Sequence, residues 1–219
     1  MKVYTYYEEI GYREWSELLE IWAESWRMNG WLPVIVGREI IQDHPLLPKL
    51  LEKINSMPTI NDRSYENACY LRWLAASRLG GLWVDNDVVN VGLSPIDFPE
   101  ELRCWSGCHG PGCGGSSCVS GGTGKAFLPV LDWIFDWQGT PIIHSPKGDI
   151  ISDMYLFFDK KPKLMESVDC AFYDNRTAAS KIIHCAYVST VKRGISKIEA
   201  MKQLISQKLE NNNGRGCLV

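Results

Sequence analysis

Two carboxylates, Asp85 and Asp87, stand two residues apart at the end of a short apolar run, Leu82-Trp83-Val84. On an extended chain residues so spaced point to one side, so both can face a single cation while Asn86 turns away. A pair of hard oxygen donors suits Mg2+ or Mn2+ and not zinc, and such an ion completes its shell with water and substrate phosphates. Before them comes Arg72, in the middle of a helically spaced stripe formed by Tyr65, Ala68, Cys69, Ala76 and Leu79. A guanidinium is almost never buried without an anion. Arg72 therefore calls for the two carboxylates as a structural ion pair, or for a hydroxyl- or phosphate-bearing ligand beside them. A third group lies far along the chain, in the segment KIIHCAYVSTV: His184 and Ser189, followed by Lys192 and Arg193. The imidazole reads either as a core histidine in an apolar strand or as a ligand, and a cation after it suits a diphosphate.

The elements that must carry these groups follow from periodicity. Residues 2–7 alternate and are rich in β formers, which predicts a first strand with Tyr6 at its carboxyl tip, where open α/β sheets bind ligands. Trp15, Leu18, Leu19, Trp22 and Trp26 give an amphipathic helix that Asn29-Gly30 ends. The unbroken apolar run 32–36 predicts a buried parallel strand and completes a βαβ unit. A short helix over 45–54 precedes the helix that bears Arg72, whose N-cap lies within 61–64. Gly80-Gly81 separates that helix from a strand over 82–87, continued by 88–91. Residues 125–137 and 149–158 predict further helices. Ile195, Ile198, Met201, Leu204, Ile205 and Leu209 mark a closing helix, with Lys197, Lys202 and Lys208 as a solvated face. No repeat or linker divides the chain, so one domain is expected over 1–210, with 211–219 a loose tail.

The run Arg72-x6-Leu79-Gly80-Gly81-Leu82-Trp83-Val84-Asp85-Asn86-Asp87-Val88 resembles the sugar-binding region of Asp-x-Asp glycosyltransferases. The similar group contains capsular-polysaccharide and α-1,4-sugar transferases and the large glucosylating bacterial toxins. Its members carry an Arg, a Gly-Gly pair eight residues on, an aromatic residue and then Asp-x-Asp, a far more specific pattern than Asp-x-Asp alone. The resemblance implies an α/β domain of GT-A type with a Rossmann-like, mostly parallel sheet. It implies a metal-dependent hexosyltransferase moving sugar from a nucleoside diphosphate sugar, UDP-linked, to an acceptor hydroxyl of a glycan, lipid or protein, with retention. By the same resemblance Asp87 coordinates Mn2+ or Mg2+, and Asp85 shares the ion or contacts ribose or sugar. Arg72 holds sugar hydroxyls or phosphate, and Tyr6 stacks on the base. Related transferases end in a His-x4-Ser pattern, which places His184 and Ser189 by the metal or diphosphate, joined by Lys192. Residues 116–122 match a segment that lines the sugar site. Ser145-Pro146 and Gly148-Asp149 resemble a Thr-Gly-Pro segment that closes on donor and acceptor, with Asp149 and Asp153 as acceptor-side candidates. The chain departs from the family at Cys69, where an Asp contacting sugar hydroxyls is usual. That departure leaves donor choice open and supports an alternative, a nucleotide-sugar-binding relative without turnover.

Composition narrows the remaining classes. With 219 residues, 45% hydrophobic and 22% charged, the chain is long enough for a proper core. A net charge of −3 argues against a general nucleic-acid binder. No apolar run reaches the length of a membrane span, and the first residues lack a signal-peptide apolar region, so a cytoplasmic location is expected. Of eight cysteines, Cys69, Cys170 and Cys185 lie in apolar stretches and read as core residues. Cys104, Cys108, Cys113 and Cys118, with His109, could instead hold zinc in an interaction module, although they lack paired C-x2-C knuckles; a flexible loop is the other reading. Gly110–Gly115 satisfies G-x-G-x-x-G, but Pro111 sits inside it and no helix opens after it. A calcium loop starting at Asp85 fails, because Val89 and Ile96 fall where ligands are required.

Overall fold

Alternation builds the first strand. In β1 (Lys2–Tyr6), Val3 and Tyr4 are buried on opposite faces, so the strand is covered on both sides. The computed structural model describes residues 1–10, 15–59, 61–98, 100–105, 117–137, 143–145, 148–150, 153–160 and 170–214. Helix α1 (Trp15–Arg27) buries Leu18, Ile21, Trp22 and Trp26 and ends at Gly30, which has φ +82°. β2 (Leu32–Val36) then pairs parallel to β1, from Lys2 opposite Leu32 to Tyr6 opposite Val36. It is an edge strand and not the buried one expected, with Leu32 56% and Ile35 45% exposed. Pro33 supplies the physical reason, since a residue without an N–H is accommodated at a sheet edge.

After α2 (Leu47–Ser56) comes α3 (Arg63–Leu79), capped by Asp62, whose carboxylate accepts from the Ser64 and Tyr65 amides at 2.9 and 3.2 Å. The buried face of α3 is Tyr70, Leu71, Trp73, Leu74, Ala75 and Ala76. The stripe Tyr65–Ala68–Cys69–Arg72 lies on another face, half-exposed and turned toward a cleft, which explains how an arginine can sit in it. Gly80 and Gly81, at φ +63° and +91°, turn the chain into β3 (Gly81–Val84). A Cβ on Gly80 would lie 2.8 Å from the Gly124 amide nitrogen, and one on Gly81 would lie 2.9 Å from the Tyr4 ring. The close approach lets Tyr4 stack on Trp83, with centroids 5.1 Å apart.

The chain does not continue straight past β3. It turns at Asp85 and enters β4 (Val88–Asn90) in a different sheet. β5 (Arg103–Cys104) and β6 (Val119–Gly122) complete the central sheet, of order β2-β1-β3-β6-β5. β1, β2 and β3 are parallel, and β6 and β5 extend the sheet antiparallel. Residues 124–127 form a 3-10 turn and α4 (Leu128–Asp136) follows, with Pro129 in its first turn where no N–H is needed. β7 (Ile143–Ser145) and β8 (Gly148–Ile150) pair as an antiparallel ribbon, with Ile143 opposite Ile150. The helix expected from Asp149 starts instead at Asp153, as α5 (Asp153–Lys160); the β-branched Ile143 and Ile150 favour strands before it. β9 (Cys170–Phe172) and β10 (Ile182–His184) join β4 in the second sheet, of order β4-β10-β9. α6 (Tyr187–Val191) and α7 (Lys197–Gly214) close the chain, and α7 runs on past residue 211, where a tail was expected.

Two apolar clusters cover the two faces of the central sheet. Val3, Leu82, Val84 and Val119 point to α1, β4, β10 and α7, while Tyr4, Val36, Trp83 and Cys104 point to α2, α3, α4 and α5. The result is a mixed α/β domain whose first three strands are parallel. Among the described residues no helix is long and apolar enough to cross a membrane.

Candidate active site

The Asp-x-Asp carboxylates lie on a turn between the two sheets, not on one extended strand. The Val88 amide donates to the Asp85 carbonyl at 3.1 Å, closing the turn. The Asp85 amide donates to the Cys118 carbonyl at 2.9 Å, and the Asp87 carbonyl accepts from the Cys185 amide at 2.8 Å. The turn is thus strapped to the segment before β6 on one side and to the end of β10 on the other. His184, the last residue of β10, pairs in register with Val88, which brings its ring to Asp87. One donor atom from each of Asp85, Asp87 and His184 lies within 4.8 Å of the others. Two carboxylates and one imidazole, gathered so closely, fit a divalent cation with mixed oxygen and nitrogen preference.

Each member has other partners in the protein. Asp87 is 5% exposed; its Oδ1 accepts from His184 Nε2 at 3.2 Å and its Oδ2 from Lys197 Nζ at 2.5 Å. Burial alone would raise the Asp87 pKa, but Lys197 and His184 outweigh it and hold the carboxyl below its ordinary range. Burial alone would lower the His184 pKa, and the Asp87 charge reverses that and raises it well above the usual value. Asp85 shifts the opposite way from Asp87: burial pushes it up, Arg72 opposes, and the neighbouring Asp87 charge adds to the rise.

Arg72 forks between two acids. One terminal nitrogen donates to Asp85 and the other to Asp153 at the start of α5, while the guanidinium lies 4.6 Å from the Trp73 ring centroid. Trp73 Nε1 also donates to Asp153, at 2.9 Å. Arg72 is thus ion-paired within the protein, and its Nε is buried with no hydrogen-bond partner. These groups line a cleft of about 600 Å³ at the carboxyl ends of β1 and β3, the place where open α/β sheets bind ligands.

Tyr6 is on the cleft wall, donates its hydroxyl to Glu8, and has a pKa raised by burial and by that carboxylate. Cys69, one turn before Arg72, also lines the cleft, so it is not the core residue expected; burial pushes its thiol up. Ser189 and Lys192 do not line the cleft. Ser189 Oγ donates to the Ala186 carbonyl at 2.8 Å within the α6 turn, and Lys192 Nζ meets Asp174 at 3.3 Å on the surface. Asp153 serves Arg72 and Trp73, and the Asp149 side chain lies outside the described residues. Ser117, within the 116–122 segment, is in the lining.

Of the zinc candidates, Cys108, Cys113 and His109 lie outside the described residues. Cys104 is 3.3 Å from Ser120 Oγ in the core, its thiol pushed up to about 12 by burial, and protonated thiols are poor ligands. Cys118 faces Cys170 and His184. Cys170 and Cys185 are buried, as expected.

Lys197 is the site residue missed by the solvated-face reading. It opens α7 and falls four residues before Met201 and seven before Leu204, both buried, so it belongs to the apolar stripe. The test that singled out Arg72, a cation within an apolar stripe, would have found it. Lys202 does meet a surface partner, Glu17.

No family model matches the chain, and no curated protein matches it in sequence. Solved structures do match in shape. A glycosyltransferase involved in glycosylating the major capsid of PBCV-1 aligns with a TM-score of 0.49 at 10% identity, over 93% of this chain and 98% of its own. The PaToxG glycosyltransferase aligns at 0.48 and 10%, over 73% and 69%. The galactosyltransferase LgtC, solved with donor and acceptor sugar analogs, aligns with a TM-score of 0.54 at 10% identity, over 94% of this chain and 96% of its own. The protein therefore shares, almost end to end, the fold on which that galactosyltransferase is built.

Proposed function

We propose that the protein is a glycosyltransferase that takes a sugar from a nucleoside diphosphate sugar, UDP-linked, and passes it to an acceptor hydroxyl with retention. The observation that carries this reading is the convergence of Asp85 and Asp87, on the turn between the sheets, with His184 of β10, in a cleft walled by Arg72 and Tyr6. Asp87 and His184 would hold the divalent cation, Mn2+ or Mg2+, with Asp85 sharing it or contacting the donor. When bound, that cation supplies charge for the departing diphosphate. In the reaction the bond from the sugar's anomeric carbon to the phosphate oxygen breaks and a bond to the acceptor oxygen forms; the acceptor's proton is taken up by the released diphosphate. Arg72, already desolvated and held by two acids and a tryptophan, would bind donor hydroxyls or phosphate. Tyr6 would stack on the base, and the fixed positive charge of Arg72 costs no reorganisation as the leaving group gains charge.

The test is thermal-shift screening with UDP, GDP and their sugars, with and without Mn2+, on wild type and on Asp87→Asn. Wild type is expected to be stabilised by metal and nucleotide together. Asp87→Asn should lose that shift while its far-UV circular dichroism stays native, and an unchanged shift in the variant rules the assignment out. A nucleotide-sugar-binding protein without turnover is the second reading, favoured by the Cys69 thiol in the cleft wall. Release of UDP from a panel of UDP-sugars separates the two.

A further inference from the structure

Both carboxylate oxygens of Asp87, a buried acid of the cleft, are in use. Asp87 Oδ1 meets His184 and Oδ2 meets Lys197 at 2.5 Å. Asp85 and Asp153 are matched by Arg72. The acids a divalent ion would need thus already have donor partners within the protein. An incoming ion must displace at least one of them from Asp87. His184 is itself a member of the ligand set, whereas Lys197 stays a cation beside the incoming ion, so Lys197 is the group the ion repels. Its displaced ammonium would face a doubly charged ion across a poorly solvated cleft, an arrangement that costs energy unless an anion arrives as well. A diphosphate is such an anion. Lys197 is equipped to follow it: its side chain is 32% exposed, it lines the cleft, and it hangs from the first residue of α7 on a flexible stem.

We propose that Lys197 is a resident counter-ion for Asp87 that makes uptake of the divalent cation conditional on the donor's diphosphate: it releases Asp87 to the cation and moves to the phosphates. The inference rests on the reading of the cleft as a metal and nucleotide site. It makes Lys197 a binding residue for the donor's phosphates and ties cation and nucleotide binding by a shared coupling, equal in both directions.

Isothermal titration of the metal-free full chain with MnCl2, alone and with saturating UDP, or GDP where UDP does not bind, measures the coupling once Mn2+–nucleotide association in solution is subtracted. Wild type should bind Mn2+ at least about tenfold more tightly with nucleotide than without. Lys197→Gln should bind Mn2+ alone about tenfold more tightly than wild type and lose most of the coupling. Lys197→Arg, which keeps the charge, should retain it. Mn2+ binding to wild type that is equally tight without nucleotide overturns the proposal whether or not Lys197→Gln folds, as does a coupling that the Gln variant leaves intact. If neither protein binds Mn2+ with either nucleotide, the reading of the site fails and the proposal falls with it, an outcome distinct from uncoupled binding.

Discussion

Arg72 is the side chain on which the most contacts in the cleft depend. It pairs with both Asp85 and Asp153, and Asp153 in turn accepts from Trp73. Removing one partner of a buried ion pair leaves the other charge uncompensated, which costs far more than the pair contributes. Arg72→Met should therefore lower stability by on the order of 3 kcal/mol in urea unfolding. Arg72→Lys should recover part of that loss, since one ammonium cannot fork to two carboxylates. At this scale the sequence was informative wherever a charge interrupted an apolar period: Arg72 stood out for that reason, and Lys197 obeys the same rule. Ser189 and Lys192 could not be judged that way. Their spacing from His184 matched a pattern, but α6 winds the chain so that Ser189 caps its own turn and Lys192 faces Asp174.

Among the elements, the helix–turn–strand unit formed by α3, Gly80-Gly81 and β3 was legible because every part of it is local. Apolar spacing marks the helix, and the Gly pair marks a backbone that other residues resist. Gly81→Ala tests this directly. With φ at +91° and the Tyr4 ring 2.9 Å from the new Cβ, the substitution should cost about 1–2 kcal/mol from the backbone alone. The Tyr4–Trp83 stack should be disturbed as well, read as a change in near-ultraviolet circular dichroism. What local pattern could not supply was where a strand goes next. Residues 82–91 read as one continuous run, yet the chain leaves the central sheet at Asp85 and pairs Val88–Asn90 with β10. That departure is decided by partners distant in sequence, β6 and β10, which hold the turn through Cys118 and Cys185. The edge position of β2 was available in principle, from Pro33 within an apolar run.

For the molecule as a whole, the paired charges of the cleft make stability depend on pH. The His184 pKa in the folded protein is raised above the ~6.5 of an unfolded histidine. Its contribution is therefore complete below about pH 6.5 and is lost as pH rises through the raised value. In the metal-free protein His184→Gln should cost more stability at about pH 6 than at about pH 10, as measured by urea midpoints. Asp87 has the opposite sign: its depressed pKa stabilises the fold above the ordinary carboxylate range, and that contribution fades as pH falls through the lowered value. The order of the elements carries one more consequence. The turn bearing the two acids follows the third strand of the chain, whereas the ring and the ammonium that meet it come from β10 and α7, near the other end. Early and late parts of the polypeptide are thus buttoned together at a single point. Loosening the last third of the fold dismantles the seat, and whatever fills the seat fastens the last third.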